Sequence, residues 1–203
     1  MNKGPVVIVL AAGKGSRFNG PTHKLAQPMG ESTVLGMTLA HVVETGLRMV
    51  VVTTARFAGE AALFVASREV VVLSEAEAAR GVAHSIAAGV AASADAEGWL
   101  VMPADMPLVR PDTLSAVARA LEARAVVYAQ HQGRRGHPVG FAGELFSDLM
   151  SLTGDEGARR LLARYPTFAV EVDDPGVLID IDTVEDLAAV QLPAACSQGQ
   201  ISR

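Results

Sequence analysis

Cysteine is almost missing. Cys196, near the C-terminus, is the only one in 203 residues, which excludes an intrachain disulfide and a multi-cysteine metal site. Such usage predicts a reducing, cytoplasmic setting. Aromatic residues are scarce at 4%, too few for the stacking platforms that bind single-stranded nucleic acid. Positive charge is also in deficit, with 17 Lys and Arg against 22 Asp and Glu, so no domain-wide basic surface exists for a phosphate backbone. No nucleic-acid partner is expected. The apolar run that begins at Val6 is too short to span a bilayer and is broken by Gly13, Lys14 and Arg17, so it reads as a first strand and neither an export signal nor a membrane partner is expected. The histidines His23, His41, His84 and His131 have no spacing that suggests zinc.

Small and aliphatic residues are plentiful instead. Half of the chain is hydrophobic, enough for one core, and a single domain over 1–192 with a flexible tail over 193–203 is expected. Short β-branched runs alternate with alanine-rich stretches of helical character, the α/β pattern of parallel strands buried between two helical layers. Strands are expected over 6–10, 49–53, 69–73, 98–102 and 168–172, with helices over 33–45, 57–66, 82–92, 145–150, 155–165 and 184–191 and another opened by Pro111. Strand-like segments over 125–129 and 137–141 flank a polar, glycine-containing stretch, which predicts a small β-hairpin insertion. A short extended segment is expected over 177–181.

Loops at strand ends should carry the chemistry. Leu10-Ala11-Ala12-Gly13-Lys14-Gly15-Ser16-Arg17-Phe18 follows the first strand directly, and such a turn can aim several backbone amides at a phosphate. It is not a Walker loop, because no Gly-Lys-Ser or Gly-Lys-Thr closes it. It is a poor dinucleotide fingerprint too: Phe18 stands where a third glycine belongs, and the second strand ends in Thr53-Thr54 without a ribose-binding acid. Arg17 and Lys24 can supply the charge a triphosphate requires; the alternative is a solvated loop with ordinary surface cations.

Leu10-Ala-Ala-Gly-x-Gly-x-Arg17 with Lys24 resembles the signature of nucleotidyltransferases of the molybdenum-cofactor type, the MobA-like family. The likeness continues through Gly81-Val-Ala-His-Ser85, Pro103-Ala-Asp105-Met-Pro107, Gly136-His137-Pro138-Val139 and Gly154-Asp155-Glu156-Gly157-Ala158-Arg159 to Asp180-Ile-Asp182-Thr-Val-Glu-Asp186, from about Val6 to Gln191. Ala11-Ala12 and the later segments look most like the molybdenum cofactor cytidylyltransferases. The stretch from Arg17 to Lys24 is longer than usual for the family, Gly15 stands where many members have serine, and Val184 replaces a proline.

The resemblance implies a three-layer, Rossmann-like nucleotidyltransferase fold with a mainly parallel central sheet. It implies transfer of CMP from CTP to the phosphate of molybdopterin or its molybdenum form, with pyrophosphate released and Mg²⁺ as cofactor. The implied catalytic residues are Arg17, Lys24 and Asp105. Leu10, Ala11, Ala12, Gly13, Gly15, Ser16, Thr53, Gly81 and Ser85 would join them in binding the nucleotide, and His137 and Pro138 would line the acceptor pocket. Mg²⁺ prefers one or two carboxylates with phosphate oxygens and waters, and the resemblance assigns Asp105 with Asp180 or Asp182, Asp180 favoured. Those last two are two apart, so in an extended segment they point to opposite faces and only one meets the metal. Local readings compete: a turn or N-cap aspartate for Asp105, a plain helical serine for Ser85, a packing histidine for His137 and a surface salt bridge between Asp155 and Arg159. A GTP donor, or a sugar-phosphate or methylerythritol phosphate acceptor, is the alternative within the class. A non-catalytic nucleotide-binding module serving a molybdoenzyme or maturation factor is the alternative outside it.

Overall fold

The computed structural model describes residues 4–154 and 158–191. In chain order the elements are β1 (Val6–Ala11), β2 (Pro28–Met29), β3 (Ser32–Thr33), α1 (Val34–Glu44), β4 (Arg48–Thr54), α2 (Ala55–Ala61), β5 (Val70–Leu73), α3 (Glu75–Ala78), α4 (Val82–Ala92) and β6 (Gly98–Pro103). They continue with α5 (Pro111–Ala120), β7 (Val126–His131), β8 (Arg134–Ala142), α6 (Phe146–Met150), α7 (Arg159–Arg164), β9 (Thr167–Glu171) and α8 (Val184–Gln191).

Local chemistry sets the helix ends. The Thr33 hydroxyl accepts from the Gly36 amide at 2.8 Å and caps α1, Ser74 and Glu77 close a capping box on α3, and Pro111 sits in the first turn of α5, where its missing N–H costs nothing. β1 lies between β4 and β6, parallel to both. Its side chains alternate between two cores: Val7 and Val9 face the cluster that includes Leu35 of α1 and Leu114 of α5, while Val6 and Ile8 face the one that includes Ile86 of α4. With helices on both faces, the strand is apolar throughout rather than alternating with polar residues.

The seven-stranded sheet runs β5-β4-β1-β6-β8-β7-β9, and all neighbours are parallel except β8, antiparallel to β6 and β7. The chain builds outward from β1 to β4 and β5, then returns past β1 to β6. Such a reversal leaves a crevice at the C-terminal ends of β1 and β6, the place where open α/β sheets bind ligands. The glycine loop follows the first of these strands and Asp105 the second.

The expected α/β class and mainly parallel sheet are present. A separate two-stranded antiparallel sheet, β2 with β3, precedes α1, and the hairpin expected around 131–136 is formed with both arms inside the main sheet. The segment expected to be extended over 177–181 instead begins as a 3-10 turn over Pro175–Leu178. The cause is Asp174, 2% exposed, whose carboxylate accepts from the Gly176 amide at 3.0 Å and curls the chain. The helix expected over 57–66 is shifted to Ala55–Ala61. Asp155, Glu156 and Gly157, with the Asp155–Arg159 bridge, and the tail with Cys196 lie outside the described residues. Among the described residues no helix is long and apolar enough to cross a membrane.

Candidate active site

Asp105 leaves the end of β6 on a loop fixed from several sides. The Ala104 amide donates to the Leu10 carbonyl at 3.1 Å, the Ala104 carbonyl accepts from the buried Thr38 hydroxyl of α1 at 2.9 Å, and the Asp105 carbonyl accepts from the Ile181 amide at 2.9 Å. That last bond brings the chain before α8 alongside. The Asp186 carboxylate accepts from the Thr183 amide at 2.8 Å while the Thr183 hydroxyl accepts from the Asp186 amide at 3.1 Å. This reciprocal pair fixes the entry to α8 and, one residue earlier, Asp182. Those bonds to Thr183 hold the Asp186 carboxyl below the usual carboxylate range.

Lys24 lies between the two acidic loops. Its Nζ is 2.5 Å from Asp105 Oδ2 and 2.7 Å from Asp182 Oδ1, with all three side chains only 11–15% exposed. Burial disfavours the ammonium, but the Asp105 and Asp182 carboxylates outweigh it and hold the Lys24 pKa above its ordinary value. Arg17, largely exposed, reaches Asp182 Oδ2 at 2.5 Å. The long stretch between Arg17 and Lys24 does not carry Lys24 off the site, because it is pinned at both ends. Phe18 is buried in the core. His23 Nδ1 accepts from the Leu25 amide at 3.2 Å, so Nε2 carries the proton and donates to the Gly13 carbonyl at 3.1 Å. Burial pushes the His23 pKa down, consistent with this neutral tautomer.

Asp180 and Asp182 lie in the irregular stretch between the 3-10 turn and α8, not in a strand, and their carboxyl groups are close enough to interact. Asp182 shares the ammonium with Asp105. Asp180 is exposed as a residue, and its pKa is raised by partial desolvation of its carboxyl and by the nearby Asp182 and Asp105 charges. Asp105 Oδ1 is buried without a hydrogen-bond partner. Among the described residues no group of three or more His, Cys, Asp or Glu side chains forms a ready-made metal cage. The donor set instead suits Mg²⁺, which takes one or two carboxylates and completes its shell with phosphate oxygens and water.

Beside the glycine loop is a cavity of about 290 Å³ lined by Leu10, Ala12, Gly13, Ala78, Gly81, Val82, Ser85 and Pro103. Gly81 precedes α4 at φ +99°, a conformation that favours glycine. Ala11 and Ala12 are buried with minimal side chains, and Gly15 and Ser16 form the outer part of the loop. Thr53 does not join this wall: fully buried, its hydroxyl turns to the Ala11 and Thr54 carbonyls at 3.4 and 3.3 Å, beneath the loop.

Leu10, Val82 and Pro103 also border a second cavity, of about 310 Å³, with His137, Val139 and Phe141 of β8. Residues of one strand face recur at every second position, so Pro138 lies on the opposite face, as does Gly140, whose hydrogen in place of a Cβ leaves room for Val127 and Leu121. Pro138 is therefore structural and not a wall of the pocket. Gly136 has no room for a side chain, since a Cβ there would collide with the Val177 carbonyl. Burial lowers the His137 pKa against the pull of Asp105 and of a Val101 backbone bond, and its Nδ1 is buried without a partner. Arg159 also borders this cavity, and Arg135 borders a third one next to it. Local sequence does not show these placements: the spacing of His23 speaks only to zinc, Arg159 reads as half of a surface pair at the end of a motif, and Arg135 has no local signal.

Residues 7–169 match the MobA-like NTP transferase domain. The purine catabolism protein PucB of Bacillus subtilis is 31% identical over 198 residues, 91% of this chain and 94% of its own. The molybdenum cofactor cytidylyltransferase of Escherichia coli is 22% identical over 179 residues, 88% of this chain and 91% of its own. Other curated relatives, bifunctional proteins named GlmU, are longer, and the chain spans 24% to 31% of their length. Among solved structures, Rv0371c of Mycobacterium tuberculosis in complex with manganese is 26% identical, with a TM-score of 0.73 over 93% of this chain and 98% of that one. With a glycine loop and an Asp105–Lys24–Asp182 cluster at the sheet's reversal point, and a family match over most of its length, this chain belongs to the MobA-like NTP transferases.

Proposed function

We propose that this nucleotidyltransferase transfers CMP from CTP to the phosphate of a molybdopterin-type acceptor and releases pyrophosphate. The observation that carries the reading is the Lys24 ammonium held between Asp105 and Asp182 beside a glycine loop with a base-sized cavity. In the reaction an acceptor phosphate oxygen forms a bond to the α-phosphorus while the bond from that phosphorus to the bridging oxygen of pyrophosphate breaks. Positioning and charge do most of this work. The backbone around Ala11, Ala12 and Gly13, with Gly81 and Ser85, receives base and ribose. Gly15 and Ser16 present amides to the phosphates, and Arg17 and Lys24 neutralise the charge that develops on them.

Asp105 would hold Mg²⁺, with Asp182 its second carboxylate and Asp180 alongside. The ion, when bound, supplies further neutralisation of the triphosphate and of departing pyrophosphate. Asp105 Oδ1 is already buried without a partner and free to ligate such an ion, and the manganese complex of Rv0371c supports a divalent ion in this fold. No strong base is required, because a phosphate monoester is largely ionised near neutral pH. The neutral His137 fits an acceptor-pocket wall better than a proton acceptor. The Ala11-Ala12 pair and the similarity to the Escherichia coli cytidylyltransferase over 88% of this chain support CTP and a molybdopterin acceptor.

The test is pyrophosphate release with Mg²⁺ and each nucleoside triphosphate in turn, with and without molybdopterin or its molybdenum form. Release only with CTP and the pterin is the expected result. Release with GTP or with a sugar phosphate would overturn the donor or acceptor, and nucleotide binding without release under every pairing would overturn turnover itself.

A further inference from the structure

The cavities around the site form a series. The one at the glycine loop shares Leu10, Val82 and Pro103 with the middle one, and the middle one shares His137, Val139, Arg159 and Leu162 with a third of about 460 Å³ that Arg135 and Arg159 also line. The groove thus runs from the glycine loop across the ends of β1 and β6 to β8 and α7. Its middle is apolar, with walls from Val82, Ile86, Val101, Val139, Phe141 and Leu162. The buried, unpartnered His137 Nδ1 lies on a residue common to the middle and outer cavities. Its outer end carries two guanidinium groups in a protein of net charge −5. No Asp or Glu among the described residues lines any of the three cavities. The Arg135 guanidinium carbon lies 4.3 Å over the Tyr128 ring of β7, which fixes the plane of the head and leaves its in-plane N–H groups to face a ligand.

We infer that Arg135 and Arg159 form an anion-recognising subsite for the acceptor, which lays a flat apolar body along Val139 and Leu162. The inference rests on the transferase reading. It assigns the acceptor two polar ends: the reacting phosphate toward Lys24, and an oxyanion or carbonyl-bearing edge that two guanidinium groups can grip in bidentate fashion. With the other ring nitrogen donating to the Val101 backbone, the Nδ1 of neutral His137 is left to accept a hydrogen bond from that body. Neither arginine touches the nucleotide end, so both act on choice of acceptor and not on choice of donor.

The probe is 1-naphthyl phosphate, a flat apolar body with a dianion, compared with neutral 1-naphthol and with inorganic phosphate. Binding to the full chain is followed by calorimetry and by methyl NMR of labelled valine and leucine. Expected are shifts at Val139 and Leu162, affinity for the ester that drops about tenfold or more in R159A and further in R135A/R159A, and 1-naphthol affinity that does not change. R159E should repel the ester while still binding 1-naphthol, which separates loss of recognition from loss of fold. Mg·CTP should bind all variants like the wild type. Equal affinity of wild type and R135A/R159A for the ester would overturn the subsite, and inorganic phosphate binding as tightly as the ester would overturn its apolar half. If CTP fails to bind the wild type while the ester still depends on Arg159, the transferase reading fails and the subsite stands. If CTP binds and the ester ignores both arginines, the reverse holds.

Discussion

Lys24→Met keeps most of the stem of Lys24 and removes the charge that Asp105 and Asp182 share. The two carboxylates, only 14–15% exposed, then face each other across the gap the ammonium filled. Removing one partner of a buried ion pair costs about 3–5 kcal/mol. Arg17 remains 2.5 Å from Asp182 and the site opens to a solvated groove, so a loss of about 2–3 kcal/mol is the reasoned value. At roughly 2–4 °C per kcal/mol for a domain of this size, the apo protein should melt roughly 5–10 °C lower. A divalent cation should act in the opposite direction. In the wild type it competes with a resident ammonium for Asp105, whereas in the variant it meets two uncompensated carboxylates, so Mg²⁺ or Mn²⁺ should raise the melting temperature of K24M more than that of the wild type. Thermal unfolding in EDTA and across a Mn²⁺ titration, with manganese binding followed by electron paramagnetic resonance, reads both effects. Equal melting of wild type and K24M in EDTA, or equal stabilisation of both by the ion, would refute the idea that Lys24 and the metal draw on the same carboxylates. Turnover should fall in K24M even with metal bound, because the phosphates also lose a cation.

Asp105→Asn should lower turnover by about two to three orders of magnitude and weaken Mn²⁺ binding, measured by pyrophosphate release and by paramagnetic resonance; unchanged Mg²⁺ dependence would remove Asp105 from the metal site. His23 and His137 both titrate below 6.5 when folded, so their contribution to stability is complete above about pH 6.5 and is lost as pH falls toward their folded values. Wild-type melting temperature should decline as pH falls below about 6.5, and His23→Phe should flatten that slope; an unchanged slope would show that the Gly13–His23 contact does not hold the loop. Asp174→Ala strips a carboxylate that accepts from the Arg110 amide at 2.9 Å, the Thr113 hydroxyl at 2.7 Å and the Gly176 amide at 3.0 Å. It should cost about 2–4 kcal/mol in a denaturant titration and also raise the nucleotide KM by loosening the segment that carries Asp182.

Much of the fold could be read from residue patterns because its strands are buried on both faces. The runs at Val6–Ala11 and Arg48–Thr54 need no alternation and stand out as β-branched blocks between helices. The glycine loop and Asp105 were legible for a related reason, since each follows such a block directly. What stayed hidden depends on contacts distant in the chain. Asp182 instead of Asp180 meets Lys24 because Asp174 curls the preceding turn and Ile181 bonds to Asp105, and neither is visible in local spacing. Thr53 lies on the sheet face away from the glycine-loop cavity and Pro138 away from the groove by strand parity, which becomes known only with the register. Arg135 could not be found without knowing that β8 pairs with β6.

That single reversed strand divides the enzyme's labour. In an all-parallel sheet every strand delivers the residues after its end to the reactive edge. β8 runs the other way, so it delivers the residues at its start, and Val139 opposite Val101 places His137 level with the end of β6 and Arg135 beyond its tip. On the proposed reading the donor half is thus written in loops that leave the sheet, and the acceptor half in a strand that folds back into it together with α7, which supplies Arg159 and Leu162. The exposed turn between β7 and β8 can change length or composition without disturbing the registers that hold the triphosphate cradle. If the proposed division holds, changes confined to β8 and α7 would alter the acceptor while leaving the loops after β1 and β6 as they are.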